Sequence, residues 1–265
     1  MNRDHAKVYF DKPHDRLVYI GRPADEDFWD RQWAENIDEN AIKRADPFVV
    51  HWTAKLLSKG SHVLDAGCGI ANTVWGLKEA GFNAFGIDYA PRTVEVINRL
   101  APELNVQRAD VRQLPFPDGC FDGVWSLGVV EHFIEGYRDI LDEMARVLKP
   151  GGLAFVTIPS ISPLRRLKIT LGTYPQFDGN FTNFYQFVMS PEVVRAAFAE
   201  AGWKYITGMS RGGFKGLKDE AGPLRPLLQS LYDRKSKAAR LTRAGLNRLL
   251  APASFHTRLY VFGRE

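Results

Sequence analysis

The chain has 265 residues, 45% hydrophobic and 25% charged, the balance of a soluble globular protein with one sizeable core. Lys and Arg number 35 against 31 acids, a modest excess that is unevenly placed, and two cysteines, Cys68 and Cys120, provide neither a disulfide framework nor a structural zinc cluster. Residues 1–7 lack the apolar core of a secretory signal, and no run approaches the roughly 20 apolar residues of a membrane span, so a cytoplasmic location is expected.

In chain order, Phe28-Trp-Asp-Arg-Gln-Trp33 sets Trp29 and Trp33 one helical turn apart on one face, either a packing stripe or a cover for a ligand. Helices are expected near 37–45 and 48–57. The segment 62–71, His-Val-Leu-Asp-Ala-Gly-Cys-Gly-Ile-Ala, reads as a buried strand feeding a tight glycine turn and then a helix. A dinucleotide fingerprint would place a third glycine where Asn72 stands. Asp65 beside a diphosphate would be repulsive but suits a cationic ligand such as an ammonium group, so the turn leans away from NAD.

Ala84-Phe-Gly-Ile-Asp88 reads as a second strand whose terminal carboxylate can accept from both hydroxyls of a ribose. Residues 106–110 form a third strand, again ending in an acid, Asp110. A turn-rich loop, 114–122, leads to a fourth strand, Gly123–Leu127, and Lys149-Pro-Gly-Gly152 precedes a fifth, Leu153–Ile158.

The ordered series DAGCGIA, FGIDYAP, RADVRQLPFPDGCFDGVW, GVVEHF and LKPGGL resembles the class I S-adenosylmethionine-dependent methyltransferases, particularly the group containing quinone-biosynthesis enzymes. The resemblance covers roughly residues 60–160. It implies an α/β, Rossmann-like doubly wound sheet of seven strands, order 3-2-1-4-5-7-6 with strand 7 antiparallel. It also implies S-adenosylmethionine as cofactor and its demethylated form, S-adenosylhomocysteine, as product. Carried onto this sequence, Asp65 engages the methionine ammonium directly or through water, and Gly67 and Gly69 admit the methionine moiety. Asp88 binds the ribose, Asp110 the adenine amino group, and Leu127 lies beside the sulfonium, with Cys68, Tyr89 and Val111 as further cofactor-binding residues. Ala71 stands where the family often has a third glycine. Each of the acids also has a purely structural reading as a cap or turn residue, and Cys68 reads as a small packed residue.

The segment 160–190, expected as a lid insert, begins with a short basic helix, 162–168, and continues with aromatics interleaved with amides, among them Tyr174 and Tyr185. Trp29, Trp33, Tyr174 and Tyr185 are the candidate acceptor-binding residues. Ser190 and Pro191 open a helix that Gly202 closes, and two last strands are expected at 203–207 and 256–262. The organisation expected is one domain, 1–265: a helical cap over 1–58, a cofactor core over 59–159, the lid, and the rest of the sheet over 191–265.

Within that last part, 223–250 forms a basic amphipathic insert. Arg225, Arg234, Lys235, Lys237, Arg240, Arg243 and Arg248 oppose one acid, Asp233, beside leucines at helical spacing. Peripheral contact with an anionic membrane near a lipid-linked acceptor, an acidic partner, nucleic acid and a merely solvated face are the readings. No RNP-like motif or KH loop supports nucleic acid.

A sulfonium methyl needs an acceptor held in line, and a hydroxyl acceptor needs its proton removed. His132 follows the fourth strand and is the candidate base, with a structural role in the Glu-His pair as the alternative. The function expected is methyl transfer to a small-molecule or lipid-linked acceptor, at oxygen. The alternatives are a non-catalytic cofactor-binding partner or regulatory subunit and, more remotely, a nicotinamide oxidoreductase. No spacing resembles a metal-ligand set, and the oligomeric state is open.

Overall fold

The computed structural model describes residues 7–21, 23–34, 37–234 and 236–264; Lys235 of the basic segment and the start of the chain lie outside them. Packing divides the chain into two compact units.

Among the described residues the larger unit comprises 23–34, 37–156, 198–206 and 261–264. It opens with α1 (Glu26–Trp33), capped by the Asp25 side chain, which accepts from the Phe28 amide at 2.8 Å. Next come α2 (Glu39–Ile42) and α3 (Pro47–Leu56), both begun by aspartate caps. Four parallel strands follow: β3 (His62–Ala66), β4 (Asn83–Asp88), β5 (Gln107–Arg108) and β6 (Phe121–Leu127), with α4 (Asn72–Glu79) and α5 (Pro91–Leu100) as crossovers. The helix α6 (Arg138–Val147) leads to the strand β7 (Leu148–Pro159). Near-continuous burial of Val63, Leu64 and Ala66 marks a strand covered on both faces. The core is clamped where the Trp125 ring stacks on Phe155 at 4.5 Å and its indole N–H donates to the Thr53 hydroxyl at 2.9 Å.

The smaller unit comprises 7–21, 157–197 and 207–260 among the described residues. Strands β1 (Lys7–Asp11) and β2 (Arg16–Ile20) form an antiparallel hairpin, and β2 pairs with β8 (Phe184–Met189). Between β7 and β8 lies α7 (Pro163–Thr170). The helices α9 (Gly213–Glu220), α10 (Arg225–Asp233) and α11 (Lys237–Ser254) pack together. The helix α8 (Pro191–Glu200) begins on the Ser190 hydroxyl, which accepts from Val193, as its Ser-Pro start predicts.

With β9 (Trp203–Arg211) and β10 (Thr257–Arg264), the main sheet has the order β5-β4-β3-β6-β7-β10-β9. Counted along the sheet's own strands this is 3-2-1-4-5-7-6, with one antiparallel strand inserted, as the resemblance implied.

Two expectations are corrected. Residues 1–58 are not a wholly helical cap, because 7–20 is a β-hairpin. Its β-branched and aromatic residues favour strand, and Asp15, at φ 44°, closes the turn. The segment 160–190 is not simply a lid loop: β8 hydrogen-bonds to β2 along its length, with Leu17 opposite Val188.

Candidate functional site

The order of the parallel strands reverses between β3 and β6, and at their carboxyl ends such sheets leave a crevice. Here it is a cavity of about 250 Å³, lined by Gly67 and Gly69 of the glycine turn, by Asp88, Tyr89, Asp110 and Val111, by Leu127, Gly128, Val129, His132 and Phe133 after β6, and by Trp29 and Trp33 of α1.

The floor is backbone. The amides of Gly67 and Cys68 donate to the Ile87 carbonyl at 2.9 and 2.8 Å, tying the glycine turn to β4. Gly67 has φ 93°, and a Cβ there would come within 2.6 Å of Val129 Cγ2, so the position admits no side chain. The Cys68 thiol packs where a Cβ on Gly86 would lie 3.1 Å from it, and burial, with Asp88 and Asp65 nearby, holds its pKa well above the ordinary value. It is an inert packed thiol beneath the cavity. Ala71 adopts φ 58° at the start of α4, the left-handed geometry in which a glycine is usual.

Three carboxylates differ in environment. Asp65 is buried and neither oxygen makes a hydrogen bond of good geometry. Burial first, then the charge of Asp88, push its carboxyl up to about 7, and the nearby Thr73 hydroxyl only partly opposes them. It is not among the residues that line the cavity. Asp88 lines the cavity; its two oxygens accept from the Gly69 and Ala90 amides at 2.8 and 3.0 Å, and the Tyr89 amide also favours its charged form. Burial raises its pKa against these bonds. Asp110 is more exposed and is gripped by Arg112, whose Nη2 lies 2.7 Å from Oδ2, so its pKa is held low.

The cover is α1. Trp29 and Trp33 stack 6.0 Å apart at 13°, and Trp29 meets His132 edge-on at 5.1 Å. The Trp29 indole N–H and the Tyr89 hydroxyl both donate to the Ala24 carbonyl, at 3.1 and 3.0 Å. Trp33 lies against Gly69, where a Cβ would be 3.3 Å from its Cε2. Beneath them, buried Asp30 accepts from the Thr93 amide at 2.8 Å and from the Thr93 hydroxyl at 3.0 Å, at the start of α5.

Of the candidate site residues singled out from sequence, all those from 29 to 132 line the cavity except Asp65 and Cys68, which are buried outside its lining. Tyr174 and Tyr185 belong to the other unit. Tyr174 sits in an apolar cluster with Leu17, Ile161 and Val188, and its hydroxyl donates to Glu220 Oε2 at 2.6 Å. Its hydroxyl is thus engaged by a buried carboxylate instead of being offered to an acceptor. Sequence reasoning missed Ala24, Arg112, Gly128, Val129 and Phe133 in the lining; all but Ala24 lay inside the quoted motifs, whereas nothing local marked Ala24.

The cavity fits a ligand with an ammonium group and a ribose: the buried Asp65 carboxylate, with no hydrogen bond of good geometry, immediately precedes the glycine turn, and the Asp88 carboxylate lines the cavity at the end of β4. A sheet of this order with such a site defines the class I S-adenosylmethionine-dependent methyltransferase fold.

Residues 64–156, about a third of the chain, match the family model described as a methyltransferase domain, the fold class whose cofactor is S-adenosylmethionine. Over 104 residues it is 39% identical to 2-methyl-6-phytyl-1,4-hydroquinone methyltransferase of Synechocystis sp., covering 38% of this chain and 32% of that protein. Over 169 residues it is 31% identical to 27-O-demethylrifamycin SV methyltransferase of Amycolatopsis mediterranei, covering 56% and 62%. The chain thus spans less than two thirds of the length of either relative. A chain of a Haloferax volcanii methyltransferase–activator complex shares the fold at TM-score 0.58 and 19% identity, covering 90% of this chain and 94% of that one.

Proposed function

We propose that the protein transfers the methyl group of S-adenosylmethionine to a hydroxyl of an apolar small-molecule or lipid-linked acceptor. The observation that carries this reading is that Trp29, His132 and Phe133 line the same cavity as Asp88 and Leu127, with Trp29 edge-on to His132. The cofactor supplies a methyl carbon made electrophilic by a sulfonium. Asp65 would balance its ammonium charge from below, Asp88 would accept from its ribose hydroxyls, and Asp110, Val111 and Phe133 would flank its base. Leu127 would border the sulfur. His132 would take the acceptor's proton, and Trp29 would fix the ring of His132 and shape the acceptor's seat. By name one relative acts on a phytyl hydroquinone and the other on a demethylrifamycin, and the phytyl chain of the first supports an acceptor with an apolar body.

A cofactor and acceptor together need the upper part of the 300–1,000 Å³ range usual for ligand sites, more than the cavity of about 250 Å³ provides. The cover α1 would therefore move to admit both and close over them, excluding water from the sulfonium. The test is transfer of label from methyl-labelled S-adenosylmethionine to a panel of prenylated hydroquinones, phenols and polyketide phenols, with identification of the methylated atom. Labelled O-methyl product, reduced at least about tenfold in His132→Gln, supports the reading. Methylation at carbon, or turnover unchanged by the substitution, removes His132 as base. Cofactor binding with no turnover on any acceptor would favour a non-catalytic partner.

A further inference from the structure

The helices α10 and α11 divide their faces in an unusual way. In α11, Leu246 and Leu250 turn toward the protein, and residues 247, 250 and 251 press against Gly213 at the start of α9. The opposite face carries Leu241 and Leu249, 66% and 75% exposed, among exposed Lys237, Arg240 and Arg248. A helix that merely packs on a domain turns its leucines inward and its charges out. This one has leucines on both faces.

The same holds for α10. Gln229 receives the Lys218 ammonium at 2.7 Å and Tyr232 packs near Phe214, while Leu227 and Leu231, one turn apart, are exposed. Arg243, on the inner side of α11, donates to the Tyr232 carbonyl and so joins the two helices. The helix α7, which also touches α11, exposes Leu171 at its end. Over 223–250 there is a single acid, Asp233, and its carboxylate accepts from the Gln229 amide at 2.9 Å.

We infer that the outer face of α10 and α11 is a docking surface for an anionic lipid bilayer. Charge complementarity selects anionic headgroups for Lys237, Arg240 and Arg248, and the leucines between them need an apolar phase that headgroups alone do not offer. A polyanion such as nucleic acid would satisfy the arginines and leave Leu241 and Leu249 in water. This inference is independent of the proposed methyl transfer, because it is tested without cofactor or acceptor.

The full chain is sedimented with vesicles of phosphatidylcholine alone and with about a third phosphatidylglycerol, at low and high salt, beside a heparin column. Expected is salt-sensitive retention by the anionic vesicles only. It falls about fivefold for each arginine removed in Arg240→Gln/Arg248→Gln, and on the order of tenfold in Leu241→Gln/Leu249→Gln. In a Leu249→Trp variant the added fluorescence should shift to the blue on anionic vesicles and be quenched by brominated lipid chains. No retention by anionic vesicles overturns the inference. So does retention that tracks heparin binding, ignores the leucine substitutions and leaves the added tryptophan in water, which would assign the face to a polyanionic partner.

Discussion

Asp30 in α1 caps α5 from 63 residues away, its Oδ1 accepting both the amide and the hydroxyl of Thr93. No side chain of its own caps α5, whose preceding residue is Ala90. The first turn of a helix leaves four amides without partners and carries a partial positive charge, so a buried carboxylate there stabilises both helix and contact. The same bond fixes the helix that carries Trp29 and Trp33 over the cavity.

Asp30→Ala is therefore expected to cost about 1–2 kcal/mol of stability, the usual worth of a lost cap. It should also weaken cofactor affinity severalfold, although Asp30 does not line the cavity. Asp30→Asn, which keeps an accepting oxygen, should recover most of both. Thermal melts and cofactor titrations of the pair check this; full affinity in the alanine variant would detach α1 from the site's closure.

Asp65 links binding to pH. Its carboxyl moves from the ordinary 3.8 to about 7 in the folded chain, because burial and Asp88 disfavour its charge. Between those values the folded state holds a proton that the unfolded state has lost. The stabilisation from that proton is present in full below pH 4 and is lost as pH rises through 7. Asp65→Asn should accordingly stabilise the free protein by about 1–3 kcal/mol at pH 8, change little at pH 4, and lower cofactor affinity at least about tenfold. Affinity of the unaltered protein for S-adenosylmethionine should rise from pH 6 to 8 with release of a proton. Melting curves at the two pH values and calorimetry in two buffers of different ionisation enthalpy measure these effects; a destabilised Asn variant at pH 8 would contradict them.

Ala71 tests the strain of the glycine turn. Its left-handed backbone costs about 1–2 kcal/mol, but its methyl is fully buried. In Ala71→Gly the relief is offset by a more flexible unfolded chain and a lost buried methyl, together about 1–2 kcal/mol, so the net change should stay within about 1 kcal/mol. Ala71→Val adds β-branching and bulk where neither fits and should cost more than about 2 kcal/mol. Urea titration distinguishes them; a neutral valine would mean that the turn relaxes.

Arg112 holds Asp110 in a two-residue loop bond at the cavity rim, which keeps that carboxylate oriented and charged. Arg112→Ala should leave stability within about 0.5 kcal/mol, since an exposed pair contributes little, while weakening the cofactor several-fold through a mobile Asp110. Affinity for adenosine-containing ligands against methionine fragments reads out which end is affected.

The cofactor core was legible because its signals are local. Strand ends bearing Asp65, Asp88 and Asp110 lie beside glycines and apolar runs, and alternation of strand and helix dictates a doubly wound sheet. What escaped depends on contacts distant in sequence. The β1–β2 hairpin was passed over, and its partner strand β8 lies some 170 residues on, in a segment read as a lid. In Tyr174 the sequence shows an aromatic with a polar tip, and only the fold reveals that Glu220, 46 residues later, takes the hydroxyl. Asp30 reads as one polar residue between tryptophans, because nothing near it in the chain announces α5. In the basic segment the leucine spacing was visible, but which leucines face outward is decided by where α9 lies.

The most direct test of the account is calorimetric titration of the protein and its Asp88→Ala variant with S-adenosylmethionine, S-adenosylhomocysteine and NADH. Saturable binding of the first two, weakened at least about tenfold by the substitution, with none of NADH, is the predicted result. Tight NADH binding, or S-adenosylmethionine binding that ignores the loss of Asp88, would contradict it.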